Sequence, residues 1–143
     1  MGEGNFAEQI NAANAPFAKL IGARLTLATK ERLEAEIEVK KEHCTIPDNM
    51  HGGAIMAIAD NMGGIGAFMN LSPGSITSTI ESKTNFVRAI PIGQKVKAVT
   101  TPVNIGRTLQ LWKTEFFRED GKLAAVVQQT QIVRSGEGQN VQG

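Results

Sequence analysis

Two short features of the chain could do chemistry on a carbonyl group. The first is His51-Gly52-Gly53, at the predicted start of a helix. Backbone N–H groups at a helix N-terminus are unpaired and carry partial positive charge, and glycine lets a ligand approach them closely. This helix start could therefore hold a carbonyl oxygen that becomes negative during acyl transfer. A plain loop-to-helix turn is the alternative.

The second feature is Asp60, in the middle of the same predicted helix. Apart from Asn61, the residues around it are apolar, among them Ala59 and Met62. A carboxylate is seldom fully buried without a partner, because losing its hydration is costly. A carboxylate in this setting suits a nucleophile or a general base. A structural aspartate bonded to a backbone group or to Asn61 is the alternative.

The spacing of these features predicts that one chain does not complete the site. Gly52 and Asp60 lie about 12 Å apart along one helix, whereas a reacting carbon must lie about 3 Å from both nucleophile and oxyanion donor. Two chains related by a two-fold axis, with antiparallel helices, could supply one residue each. We therefore predict an active site at a dimer interface, with Gly52 from one chain and Asp60 from its partner.

The apolar pattern around these residues predicts an α+β domain. Helical spacing predicts a short helix over 5–14 and a further turn over 17–21 that ends at Gly22. Residues 54–69 are apolar nearly all round, which predicts a buried helix, and 43–50 reads as a loop. Strands are predicted over 24–29, 33–40, 76–89, 94–105, 108–118 and 122–134. This order is typical of one central helix on a mostly antiparallel sheet of about six strands.

Composition narrows the possible functions. The 15 Lys and Arg residues nearly balance the 14 Asp and Glu residues, which argues against a nucleic-acid-binding protein. No apolar run approaches the ~20 residues that span a bilayer, and residues 1–6 do not resemble a signal peptide. The single cysteine cannot form an internal disulfide. We expect a cytoplasmic protein with no membrane or nucleic-acid partner.

Two other chemistries are weaker interpretations. Cys44 beside His43 could be a nucleophile–base pair, but side chains adjacent in a strand or loop tend to point apart. His43 and His51 with Asp48 could bind a metal, yet they show no recognised ligand spacing. We therefore expect neither a cysteine hydrolase nor a metal site.

Several motifs follow one another in a characteristic order. They are Glu42-His43, His51-Gly52-Gly53, Ala59-Asp60-Asn61, the run from Thr79 to Arg88, Gly93, Gly106-Arg107-Thr108-Leu109, and Asp120-Gly121-Lys122-Leu123-Ala124-Ala125. In this order and at these spacings, over about residues 17–134, the chain resembles the PaaI-like branch of the hotdog-fold acyl-CoA thioesterases.

The resemblance implies a fold, an assembly and an activity. The fold would be a hotdog, a sheet wrapped around a central helix, that pairs into homodimers and often homotetramers. Residues 1–22 would be an N-terminal helical segment of the same domain, 23–134 the hotdog thioesterase domain and 135–143 a flexible tail. The activity would be hydrolysis of an acyl-coenzyme A to the free acid and CoA, with CoA as part of the substrate and no separate cofactor.

The resemblance also implies catalytic roles. Gly52 would donate its amide to the thioester carbonyl, and His51 would position the thioester end. Asp60 of the partner chain would attack directly or activate water. Thr79 falls where relatives carry a hydroxyl that orients the lytic water or the carboxylate; Thr77 or Ser78 are alternatives, because the preceding loop varies in length.

The remaining implied residues would bind substrate. Arg107 and Thr108 fall in a region that meets the pantetheine or nucleotide part of CoA, and the arginine fork suits phosphate. Gly53 would lie beside the thioester. Relatives often carry asparagine six residues before the motif histidine, where this chain has Thr45, and Asn49 could substitute.

The change at Thr45 motivates a second hypothesis, a non-catalytic acyl-CoA-binding module on the same fold. A third hypothesis is a dehydratase acting on 3-hydroxyacyl thioesters. Those relatives use a histidine and a carboxylate in a different local pattern, which this sequence lacks.

Overall fold

Two short helices open the part of the chain that the computed structural model describes, residues 4–136. They are α1 (Ala7–Ala13) and α2 (Pro16–Ile21). Pro16 opens α2, where its missing N–H costs no helical bond. Gly22 ends α2 in the left-handed conformation, with φ of 85°. Both helices confirm the prediction from helical spacing.

Eight strands lie within residues 4–136. They are β1 (Arg24–Ala28), β2 (Leu33–Glu38), β3 (Cys44–Thr45), β4 (Asn49–Met50), β5 (Ile76–Phe86), β6 (Lys95–Ile105), β7 (Leu109–Phe117) and β8 (Leu123–Arg134). Six of them form one antiparallel sheet in the order β1-β2-β6-β7-β8-β5. The predicted α+β class and six-stranded sheet are confirmed.

Two local predictions need correction. The predicted loop over 43–50 contains a small hairpin of β3 and β4, preceded by a 3₁₀ turn at Lys41–His43. Strand β5 ends at Phe86 instead of 89, because the next two N–H groups both turn to the Ala124 carbonyl, at 2.8 and 3.0 Å. Of the predicted tail, residues 137–143 lie outside the described residues.

The central helix α3 (Gly52–Met69) packs against the sheet. Two of its glycines explain how the helix and the sheet approach so closely. A Cβ added at Gly63 would lie 2.3 Å from the side chain of Gln129, and one at Gly66 would lie 2.8 Å from Trp112. The low helix propensity of glycine, about 1 kcal/mol below alanine, is offset by the contact that glycine alone permits.

The burial of α3 differs from the sequence expectation. Its inner face is buried against the sheet, but Met56, Asp60 and Phe68 on its outer face are exposed in the single chain. The apolar pattern predicted a helix covered all round. A single chain covers only one side of α3, so Asp60 is not buried as the sequence indicated. Within residues 4–136, no helix is both long and apolar enough to cross a bilayer.

Candidate functional site

Asp60 is held by a hydroxyl group from the sheet. The Thr79 hydroxyl on β5 donates a hydrogen bond to Asp60 Oδ1 at 2.7 Å. The sequence left Thr77 and Ser78 as alternatives to Thr79. The Thr77 hydroxyl points instead to Gln131 Oε1 and the Ile132 carbonyl, at 3.1 and 3.0 Å. The structure thus brings together Asp60 and Thr79, two of the residues that the sequence singled out.

A large open cavity begins at this pair of residues. Its volume is about 1100 Å³, and α1, α3 and the start of β5 line it. Asn61 and Gly64 of α3 line it, and a Cβ added at Gly64 would have no neighbour within 4 Å. The rest of the wall is largely apolar and includes Phe6, Ile10, Ala13, Ile65, Phe68 and Met69. A substrate whose apolar part occupied this cavity would have its reacting end beside the Asp60 carboxylate.

A second, smaller cavity also reaches Asp60 from the side of α2. Its volume is about 210 Å³, and Phe17, Ile21 and Met62 are among its lining residues. Met62 lines this smaller cavity, whereas Met56 is exposed on the outer face of α3.

The start of α3 offers one free amide. His51 is the N-cap residue, and its Nδ1 accepts the Gly53 N–H at 2.8 Å. Within residues 4–136 the Gly52 N–H has no hydrogen-bond acceptor. Because Nδ1 accepts, the neutral ring carries its proton on Nε2, which can donate to a ligand. The helix dipole adds partial positive charge at the same place.

Gly52 lies in a separate cavity of about 380 Å³, together with Asn49, Phe86 and Arg88. A Cβ added at Gly52 would lie 2.9 Å from the Phe86 ring, so the position has no room for a larger residue. Thr45 is the exposed cross-strand partner of Asn49 in the small hairpin. Asn49, rather than Thr45, therefore lies beside Gly52.

Gly52 and Asp60 thus line different cavities of one chain. This agrees with the separation of about 12 Å that the helix rise imposes. Between them the outer face of α3 is exposed at Met56. Strand β5 lies at one end of the sheet, where β8 is its only partner among the strands of the described residues. A second molecule could cover this side of the chain.

Arg107 and Thr108 form the turn between β6 and β7, where both are exposed. The register places this turn at the same end of the sheet as the Asp60–Thr79 pair. Leu109 pairs with Ile132, which in turn pairs with Ser78. Two strand spacings, about 10 Å, separate Leu109 on β7 from Ser78 on β5.

His43 and Cys44 have structural contacts. His43 Nδ1 accepts the Lys40 N–H at 3.0 Å, and Nε2 lies 2.8 Å from the Ile21 carbonyl, to which it can only donate. Burial raises the pKa of the Cys44 thiol, as do the charges of Asp48 and Glu42. A raised pKa lowers the thiolate fraction, which is the reverse of what a nucleophile needs. Within residues 4–136, no group of three His, Cys, Asp or Glu side chains is placed to hold a metal ion.

One residue at the site was missed from the sequence. Gln131 on β8 is 1% exposed and its Nε2 donates to the Thr79 hydroxyl at 2.6 Å. A signal was available, because Gln129 and Gln131 interrupt the inward-facing positions of a strand whose other inward residues include Ala125 and Val127. Polar side chains at buried strand positions are uncommon and have partners.

Comparison with known proteins identifies the family. Residues 48–125 match the family model described as the thioesterase superfamily. The chain belongs to the thioesterase superfamily. It is a thioester hydrolase, as the resemblance implied. The matched region includes the start of α3, Asp60 and Thr79.

Proteins similar in sequence or structure to this chain are named as esterases or thioesterases. A putative esterase of Haemophilus influenzae is 27% identical over 106 residues, which cover 74% of this chain and 76% of that protein. The proofreading thioesterase EntH of Cronobacter turicensis is 27% identical over 116 residues, covering 80% of this chain and 84% of that protein. A solved thioesterase from Haemophilus influenzae superposes with a TM-score of 0.87 at 24% identity, covering 96% of each chain. The hotdog fold is thereby confirmed.

Two further solved structures share the fold. The Escherichia coli PaaI protein superposes with a TM-score of 0.81 at 15% identity, over 91% of this chain and 92% of that chain. A thioesterase protein from Streptococcus pneumoniae, solved with coenzyme A, superposes with a TM-score of 0.73 at 17% identity, over 80% of this chain and 87% of that chain.

Proposed function

We propose that this thioesterase hydrolyses an acyl-coenzyme A to the free acid and CoA, with Asp60 as the catalytic carboxylate. One observation carries the proposal: the Asp60 carboxylate is fixed by the Thr79 hydroxyl at 2.7 Å beside a cavity with a largely apolar wall. The coenzyme A bound to the Streptococcus pneumoniae relative supports the choice of thiol.

Asp60 starts the reaction in one of two ways. As a nucleophile, a carboxylate oxygen forms a bond to the thioester carbon and the C–S bond breaks; water then hydrolyses the mixed anhydride. As a general base, Asp60 takes a proton from water while the water oxygen attacks. In both routes the sulfur leaves with the electron pair of the C–S bond and is protonated to CoA. Thr79 holds Oδ1, which leaves Oδ2 for the reaction.

The oxyanion is stabilised by the start of α3 in a partner subunit. The Gly52 N–H is directed to the thioester oxygen, where charge develops as the tetrahedral intermediate forms. His51 Nε2 donates to the same end of the thioester, and Gly53 and Asn49 lie beside it. An antiparallel pair of α3 helices in a homodimer places each Gly52 opposite the partner's Asp60. A dimer of such dimers is compatible with the same site.

The two ends of the substrate have different surroundings. The acyl group enters the cavity beneath α1, whose apolar side chains exclude water from it. The CoA part leaves toward the turn that carries Arg107 and Thr108, where the guanidinium binds phosphate and the hydroxyl hydrogen-bonds the pantetheine.

A thiol-release assay over a panel of CoA esters tests the activity. The wild-type chain should release CoA from esters of apolar acids, and Asp60→Ala should not. Thiol release by purified Asp60→Ala at the wild-type rate would contradict the mechanism. Binding of acyl-CoA without thiol release across the panel would instead favour the non-catalytic module that Thr45 motivates.

Mixing two inactive variants tests the shared site. Gly52→Pro removes the amide donor at the first position of α3, where a helix backbone tolerates proline. Phe86→Ala in the same chain makes room for the ring, whose Cβ would otherwise lie 2.9 Å from Phe86, and Phe86→Ala alone is the reference for full activity. Asp60→Ala removes the carboxylate. Each mixed dimer holds one intact site of two. Because random pairing makes about half of the dimers mixed, co-expression should recover roughly a quarter of wild-type activity. Co-expressing two Asp60→Ala chains with different tags is the control. No recovery from dimers shown to be mixed would place both groups in one chain.

A further inference from the structure

A buried glutamine stands behind the Asp60–Thr79 pair. Gln131 is the cross-strand partner of Thr79 and is 1% exposed. Its Nε2 donates to the Thr79 hydroxyl oxygen at 2.6 Å, and its Oε1 accepts from the Thr77 hydroxyl at 3.1 Å. Both ends of the amide are thus engaged by β5. A polar side chain this deeply buried is stable only with such partners.

The hydrogen-bond directions follow from the contacts. A threonine hydroxyl has one proton, and an ionised carboxylate can only accept. With Nε2 toward Thr79, the glutamine donates to the hydroxyl oxygen and the hydroxyl donates to Asp60, so both short contacts carry a proton. With the amide reversed, Oε1 and Asp60 would compete for the one Thr79 proton, and one oxygen pair at 2.6 or 2.7 Å would have none. In the assigned orientation Oε1 and the Ile132 carbonyl share the one Thr77 proton, but these contacts are longer, 3.1 and 3.0 Å, so leaving one of them without a proton costs less.

We infer that Gln131 is a positioning residue, which acts on Asp60 only through Thr79. Its Nε2–H occupies the acceptor side of the Thr79 hydroxyl and turns the hydroxyl proton toward Asp60. Thr79 therefore orients the carboxylate rather than the water. The inference rests on the proposed function, because it assigns Gln131 to the same site.

A double-mutant cycle separates this role from a general contribution to the core. Gln131→Met keeps the length of the side chain but removes the donor, so Thr79 no longer has a fixed proton direction. We expect kcat to fall about fivefold, the usual scale for one hydrogen bond between neutral groups, with KM within about twofold. Thr79→Val removes the hydroxyl and should lower kcat further. Adding Gln131→Met to Thr79→Val should then cause no further loss.

Gln110→Met is the matched control. Gln110 is the cross-strand partner of Gln131 on the other side, is 2% exposed, and accepts the Trp112 indole N–H at 2.9 Å. The Gln110→Met substitution removes the same polar atoms from the same buried layer and does not contact Thr79. The kcat of this variant should therefore match that of the wild type. Thermal unfolding of each variant shows whether the fold is retained.

Gln131→Glu is the second variant, should Gln131→Met fail to fold. It keeps the shape of the amide, but at alkaline pH the ionised carboxyl accepts where Nε2 donated, so kcat should again fall.

Three outcomes would overturn the inference while leaving the proposed function intact. They are an unchanged kcat in both Gln131 variants, losses that multiply in the double variant, and an equal loss in Gln110→Met. A wild-type chain that releases no thiol from any ester would overturn the proposed function and this inference with it.

Discussion

The inner and outer faces of α3 differ in what an added side chain would meet. Gly63 points to the sheet, where a Cβ would lie 2.3 Å from Gln129. Gly64, the next residue, points to the cavity beneath α1, where a Cβ would have nothing within 4 Å. Asp60 lies one turn before Gly64 and lines the same cavity.

Glycine therefore serves two different purposes at the neighbouring positions 63 and 64. On the inner face glycine allows close packing of the helix against the sheet. On the outer face it leaves space beside a carboxylate. Substitutions on the inner face should lower the free energy of unfolding. Substitutions on the outer face should not lower it, and they should change turnover where they remove the carboxylate or fill the cavity.

The largest effect is expected for Asp60→Ala on the outer face. Loss of the carboxylate should lower kcat by about 10²–10⁴-fold, the usual contribution of a positioned base. Asp60 is exposed in the single chain, so the free energy of unfolding should change little. Steady-state thiol release and urea unfolding on one preparation measure both quantities. A variant as active as wild type, or one that no longer folds, would contradict the separation of the two faces.

Gly63→Ala is the corresponding change on the inner face. The new methyl group cannot fit unless the end of the Gln129 side chain moves. That side chain is 1% exposed and donates to the Asp60 carbonyl at 3.3 Å, so it has little room to move, and overpacking of this kind costs about 1–3 kcal/mol. Urea unfolding should show this loss. Equal stability of Gly63→Ala and wild type would mean that the contact relaxes without cost.

Gly64→Phe should alter substrate choice. The ring would occupy the cavity beside Asp60, so kcat/KM should fall about tenfold or more for esters of bulky acids, on the scale at which pocket size discriminates substrates. Acetyl-CoA, whose acyl group needs little of the cavity, provides the internal control and should be hydrolysed as by the wild type. An equal loss for short and bulky esters would show that the acyl group lies elsewhere.

The smallest effect is expected for Gly64→Ala. Alanine meets no neighbour there and gains about 1 kcal/mol of helix propensity over glycine. The free energy of unfolding should therefore rise, in contrast to Gly63→Ala. A fall in stability at both positions would remove the difference between the two faces.

Most of the fold could be predicted because its determinants are local. Alternation of Leu33, Ala35 and Ile37 with glutamates indicated β2, and Gly22 indicated the end of α2. The Asp60–Thr79 pair was predictable only through the family resemblance, since the residues are 19 apart along the chain and no local pattern joins them. The roles assigned to these residues, and the dimer that would unite them with Gly52, remain predictions.

Other features depended on tertiary contacts that no sequence period encodes. An apolar pattern indicates that a helix will be covered, but not whether its own sheet or a second molecule covers it. The exposure of Asp60 in the single chain was missed for that reason. The direction of the Gln131 amide could not be predicted either, because it depends on its cross-strand partner Thr79 and on Thr77, two residues before it on β5, which only the register of β5 and β8 brings near.

His43 links the first helices to the start of α3. Its ring binds the Ile21 carbonyl at the end of α2, while its own carbonyl accepts the His51 N–H at 2.8 Å, one residue before the free amide of Gly52. Proteolytic cleavage after Gly22, which removes α1 and α2, would leave the His43 Nε2–H without its acceptor. The N-terminal helices therefore help to orient the Gly52 N–H, although it lies about thirty residues later in the chain. Removing them should weaken oxyanion binding even where the sheet remains folded.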